Sequence, residues 1–161
     1  MIRGILTSSS GSPARPNRSR PETIALVSCV KQKRSMPAPA CDLYTSPLFC
    51  KMRDYAIAHS DRWFILSAKY GLVHPDAVIE PYELTLKQMR APERRTWAQR
   101  VHRQMGETGL LRSGTQFLWM AGRTYQQDLA THLSSFEQCD PLAGMKIGER
   151  LGWLTRELTS Q

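Results

Sequence analysis

Three short apolar runs, each broken by a turn that carries a cation, do most to limit what this chain can fold into. They are Ile24-Ala25-Leu26-Val27, Trp63-Phe64-Ile65-Leu66 and Phe117-Leu118-Trp119-Met120. Continuous apolar runs of this length fit strands buried on both faces, as in a parallel sheet. They predict strands at Thr23–Cys29, Arg62–Ala68 and Gln116–Ala121. The segments between them read as helices. Ser46 is a cap, Pro47 suits the first helical position, and Leu48, Phe49, Met52, Tyr55 and Ala56 share one face of a helix ending near His59. A second helix is predicted from about Pro92 to Met105. Trp97, Val101 and Met105 form its buried stripe, with Arg94, Arg95, Arg100 and Arg103 mostly elsewhere around the cylinder. Two more helices follow, at Thr124–Phe136 and Met145–Leu158. The order β-α-β-α-β-α-α predicts an α/β fold, a three-layer sandwich with a small, mostly parallel sheet flanked by helices.

The chain of 161 residues has the length of one ordinary domain. Residues 1–21 carry Thr7, Ser8, Ser9, Ser10, Pro13, Pro16 and Pro21 without any period, with Arg3, Arg15, Arg18 and Arg20 among them. They read as a disordered basic tail, leaving residues 22–161 as a single α/β catalytic domain. No apolar run approaches the ~18–20 residues that span a bilayer, and the N-terminus lacks an apolar signal core. A cytoplasmic protein without a membrane partner is expected. Lys and Arg number 22 against 14 Asp and Glu, a net charge of +8, which favours a polyanion such as nucleic acid.

Cys29, Cys41, Cys50 and Cys139 form no C-x-x-C pair, and His59, His74, His102 and His132 are scattered. No metal and no cofactor is expected. Cys41, Cys50 and Cys139 read as buried or half-buried free thiols. Among the histidines, His74 is best placed to touch a substrate.

Ligands of open α/β sheets bind beyond the carboxyl ends of the strands. Three turns lie there: Ser28-Cys29-Val30-Lys31-Gln32-Lys33, Ser67-Ala68-Lys69-Tyr70-Gly71 and Ala121-Gly122-Arg123-Thr124-Tyr125. Each pairs a hydroxyl or small residue with a cation, a combination suited to phosphate. Tyr44, Tyr70, Tyr82 and Tyr125 fall in or beside these turns, where they can stack bases or hold backbone, with Tyr125 the one best explained by sealing the core. The irregular stretch Leu72–Leu86, interrupted by Pro75 and Pro81, reads as a functional loop. It brings in Glu80 and Glu83. Near a sugar a carboxylate acts as general base or stabilises an oxocarbenium-like centre, and in a basic rim it forms ion pairs.

Four blocks in order resemble a known family: Leu26-Val27-Ser28-Cys29-Val30-Lys31-Gln32-Lys33, Asp42 to Phe49, Ile65 to Val73, and Pro81 to Leu86. They span most of residues 24–158. The family is bacterial and phage, long filed as a domain of unknown function, and includes Brig-type phage-defence DNA glycosylases. The resemblance implies excision of glucosylated hydroxymethylcytosine from phage DNA, leaving abasic sites. Such a base must be flipped out of the duplex. Glu83 lies inside a matched block and Glu80 at its margin, so Glu83 is preferred as the catalytic carboxylate. Lys69 is expected as a charge or phosphate clamp rather than a Schiff-base nucleophile. Ser28, Ser67 and Thr85 are candidates for sugar or backbone contacts, and Cys29 for the pocket lining. Lys31, Lys33, Asp42, Tyr44, Tyr70, Tyr82, Arg123 and Tyr125 complete the expected DNA-binding set. A base-exchanging nucleoside transferase and a non-catalytic nucleic-acid-binding module are the competing readings.

Overall fold

The computed structural model describes residues 20–161, so all of the expected basic tail except Arg20 and Pro21 lies outside the described residues. Its frame is a five-stranded sheet in the order β4-β3-β1-β6-β7. β1 (Thr23–Ser28) lies at the centre, parallel to β3 (Arg62–Ser67) on one side and to β6 (Gln116–Met120) on the other. β7 (Glu137–Cys139) extends the parallel set beyond β6, and β4 (Gly71–Val73) closes the other edge antiparallel to β3. The three central strands bury nearly every side chain, which is why they read as unbroken apolar runs.

Helices cover both faces, and the three-layer arrangement expected from the sequence is the one found. α2 (Pro47–His59) packs with α5 (Ile147–Thr159) on one face, and α3 (Ala91–Glu107) with α4 (Arg123–His132) on the other. α2 starts where its cap requires: the Ser46 hydroxyl accepts from Phe49 N at 3.1 Å, with Pro47 next in line. The Glu93 carboxylate takes the Arg90 N–H at 2.7 Å at the start of α3. Trp97, Ala98, Val101 and Met105 are the buried stripe of that helix. All of these side chains join one apolar cluster around β1.

Several features depart from the sequence expectation. β7 is polar (Glu137-Gln138-Cys139) and has no apolar run to announce it. It is held by a side chain instead: Gln138 Oε1 accepts from Trp119 Nε1 at 2.9 Å. To start that strand the chain leaves α4 at His132, four residues before the expected end at Phe136. Leu133 and Phe136 close a turn in which Phe136 N donates to Leu133 O at 2.9 Å. The stretch 72–86 is also less irregular than expected. It contains most of β4, then β5 (Val78–Ile79), which pairs antiparallel with β2 (Ala38–Pro39) in a two-stranded flap. A one-turn helix, α1 (Ala40–Leu43), follows β2, and a 3-10 turn (Leu86–Gln88) precedes α3. Finally, Cys139 is exposed, not buried or half-buried as expected, because it ends an edge strand.

Candidate functional site

The register sets Ser28 across from Leu66 and Val27 across from Met120, so the turns after β1, β3 and β6 leave the sheet at one rim. The connection after β1 passes to α2 on one face and the one after β6 to α4 on the other. The loops therefore diverge between β1 and β6, the switch point at which doubly wound sheets bind ligands. Ser28 Oγ spans the gap there by accepting from Gly122 N at 3.4 Å. Beside it the buried Cys29 thiol donates to Tyr125 Oη at 3.1 Å, and the Tyr125 ring stands edge-on to Trp97 with centroids 5.7 Å apart.

A second cluster lies at the end of β3. Ser67 is fully buried. Its Oγ donates to Tyr82 Oη at 2.7 Å and accepts from Tyr70 N at 3.0 Å. Tyr82 Oη and Tyr44 Oη are also 2.7 Å apart. Three hydroxyl protons serve two hydroxyl–hydroxyl bonds, so one O–H of this buried trio remains available to a further acceptor. Burial is the main cause that lifts the phenols of Tyr44, Tyr82 and Tyr125 well above their ordinary value of 10, so they remain donors at neutral pH.

Helix α3 fixes this corner. Trp97 Nε1 donates to Ser67 O at 2.9 Å, Arg100 Nη2 to Lys69 O at 3.0 Å, and Gln104 Nε2 to Tyr70 O at 3.1 Å. Gln104 Oε1 also takes the Leu72 N–H at 2.8 Å. The turn that carries Ser67, Lys69 and Tyr70 is thus gripped along its main chain. The apolar stripe of α3, with the arginines placed mostly elsewhere around the cylinder, gave no role to Arg100 or Gln104. The signal was present as the spacing 97, 100, 104, a single helical face.

Lys33 is positioned just as firmly. Its backbone bridges antiparallel to Tyr44, with Arg34 N donating to Leu43 O at 2.8 Å and Thr45 N to Gln32 O at 3.1 Å. The ammonium consequently lies 4.5 Å from the centroid of the Tyr82 ring and 5.7 Å from that of Tyr44. It donates to Lys31 O at 3.1 Å. Burial lowers the Lys33 pKa, and nearby Cys29 and Glu83 pull it part of the way back. Glu83 therefore belongs to the electrostatic neighbourhood of this amine.

The strap Tyr82–Leu86 crosses the rim between the two clusters. Tyr82 anchors it at Ser67, and at its other end Leu86 N approaches Tyr125 Oη at 3.5 Å. Glu83 and Leu84 are exposed between these anchors, with Thr85 half-buried.

Among the residues expected at the site, Ser28, Cys29, Lys33, Tyr44, Ser67, Tyr70, Tyr82 and Tyr125 are joined in these two clusters. Tyr44, Tyr82 and Tyr125 are at most 7% exposed, so their ring faces belong to the core and only their hydroxyls serve the rim. That corrects the expectation that Tyr44 and Tyr82 stack bases. Tyr70 is half-buried, edge-on to Tyr82 with centroids 5.6 Å apart. Lys69 is exposed, its Nζ 5.2 Å from the Tyr70 ring centroid. Glu80 is exposed and meets the cluster only through its carbonyl, which accepts from Tyr70 Oη at 3.5 Å. Asp42 is exposed on α1 and uses its carbonyl to accept from Arg34 Nε at 2.8 Å. Lys31 and Arg123 are exposed at the rim. His74 is not at this rim: β4 runs antiparallel to β3, so His74 comes to lie edge-on to Phe64, near the middle of β3. A surface depression of about 400 Å³ lies at the amino ends of β6 and β7, lined by Pro21, Thr115, Gln116 and Glu137, on the opposite rim from this chemistry. Hydrogen-bonding groups converge at the carboxyl rim, and they locate the candidate site there.

Among the described residues no group of three or more His, Cys, Asp or Glu is arranged to hold a metal, and no helix is long and apolar enough to cross a membrane.

Residues 24–156 match the model described as "Family of unknown function (DUF6884)". The protein named "Uncharacterized protein YfjM" of Bacillus subtilis (strain 168) is 30% identical over 142 residues, covering 83% of this chain and 93% of that protein. No solved structure matches the chain. The family match covers most of the sequence, and the chain belongs to that family.

Proposed function

We propose that this member of a family of unknown function is a DNA glycosylase of phage defence. In this reading it works in the cytoplasm, flips out a glucosylated hydroxymethylcytosine and hydrolyses its N-glycosidic bond. The observation that carries the reading is the half-buried Lys33 ammonium over the Tyr82 ring beside a buried hydroxyl cluster, with the exposed Glu83 next to Tyr82 in the strap that crosses the rim. Cleavage of the C1′–N1 bond builds positive charge on the sugar and negative charge on the departing base. Glu83 stabilises the first and takes a proton from the attacking water. The Lys33 ammonium and the spare hydroxyl proton of the Ser67–Tyr82–Tyr44 trio suit the second, or the hydroxyls of the attached glucose. Lys31, Lys69 and Arg123, exposed around the rim, suit the phosphates on either side of the flipped nucleotide.

The test is incubation of the purified protein with unmodified, hydroxymethylated and glucosyl-hydroxymethylated DNA, followed by labelling with an aldehyde-reactive probe. Abasic sites confined to the glucosylated DNA and lost with Glu83→Gln are expected. Sites that persist with Glu83→Gln would move the carboxylate role to Glu80 or Asp42. Binding without any abasic site would return the function to a non-catalytic module, and base release that requires an added acceptor base would make it a transferase.

A further inference from the structure

We propose that Lys33 is a nucleophile of this site, whose amine condenses with the C1′ aldehyde of an abasic deoxyribose and gives the protein a strand-nicking lyase activity. The inference rests on the proposed function in one respect only, that abasic DNA is what the rim produces.

Two amines stand near the hydroxyl clusters, and they differ. Lys69 is exposed, its Nζ 5.2 Å from the centroid of the half-buried Tyr70 ring. Lys33 is half-buried against the faces of Tyr82 and Tyr44 and is fixed by a main-chain bridge. Among the described residues it has no carboxylate within ion-pair distance, and its Nζ donates to a neutral carbonyl. Burial lowers its pKa, which enlarges the neutral, nucleophilic fraction at neutral pH. Glu83, exposed next to Tyr82 in the strap, supplies the base the later step needs.

The chemistry balances with water alone. The neutral Lys33 amine adds to C1′, and the carbinolamine takes a proton from solvent and loses water to give a protonated imine, the proton being returned when the imine is hydrolysed. Glu83 removes a proton from C2′ to give an enamine, whose nitrogen lone pair then forms the C2′=C3′ bond through the conjugated system as the C3′–O bond breaks with the phosphate as leaving group. Water then hydrolyses the imine, releasing the unsaturated aldehyde end and restoring the lysine.

The experiment uses an oligonucleotide duplex with a preformed abasic site, so it reads Lys33 whether or not the chain excises a base. Sodium borohydride reduces the imine to a stable secondary amine, and the adduct is mapped by peptide mass spectrometry. The full chain is expected to give an adduct on Lys33. Lys33→Arg keeps the charge over the tyrosine rings but forms no imine, and should lower the trapped fraction at least about tenfold. Its circular dichroism should match the parent's, so that a loss of trapping reads the amine and not the fold. No adduct with the full chain, an adduct mapped to Lys69 or another lysine, or trapping by Lys33→Arg equal to the parent would overturn the proposal.

Discussion

Gly71 has a φ of 75°, and a Cβ there would run into Gln104 Oε1, the atom that holds the Leu72 N–H. Backbone conformation and space both demand glycine at the turn that carries Ser67, Lys69 and Tyr70. Gly71→Ala is expected to cost about 1–3 kcal/mol in chemical denaturation. The double variant Gly71→Ala, Gln104→Ala should not recover the parent's stability, since the backbone part remains. The sequence shows Gly71 as a strand break, but not the glutamine of a distant helix pressed against it. Tyr82 illustrates the same limit. Its place in a loop among cations suggested base stacking, whereas the ring is buried and the hydroxyl joins Ser67 to Tyr44. Tyr82→Phe leaves both partners short of a hydrogen bond and should lose about 1–3 kcal/mol by denaturation. An unchanged stability would mean that the trio is not held as described.

The strands and helices that were legible are those whose side chains are apolar in a period: β1, β3, β6, α2 and the buried face of α3. What escaped is stabilised by polar side chains acting on distant main chain, a kind of contact that leaves no period. Gln138 holds β7 to Trp119, and Gln104 and Arg100 hold the turn before β4. At the α3–α4 interface His102 stacks on His132 with centroids 5.0 Å apart. Burial first, and the neighbouring imidazole second, lower the His102 pKa from its ordinary 6.5. The unfolded chain therefore takes up this proton before the folded one does as pH falls. Stability should decline below pH 6.5 until the folded-state value is passed, and then lose nothing more from this group. Thermal unfolding at about pH 7.5 and about pH 5 should show a smaller loss for His102→Phe than for the parent. Equal losses would remove the pair from the account.

At the scale of the whole molecule, the alternation of runs and helices was enough to read the three-layer fold and the rim where its strands end. A parallel sheet reverses its winding at one point, and the turns after its strands must meet there. The groups of Ser28, Cys29 and Tyr125 meet there, and those of Ser67 and Lys33 at the end of β3 on the same rim, because of that topology. Their partition into framework and exposed chemistry was not legible, since burial of a tyrosine depends on which helix crosses over it. The net charge of +8 and the exposed Lys31, Lys69 and Arg123 fit a polyanion around the rim. The proposed function turns on hydrolysis of a glycosidic bond with Glu83 as the general base. It is tested most directly by mass-spectrometric detection of the free base after the protein meets glucosyl-hydroxymethylcytosine DNA. Release of the intact glucosylated base is expected, reduced at least about a hundredfold by Glu83→Gln. DNA recovered bound to the protein but with every modified base still attached would contradict it.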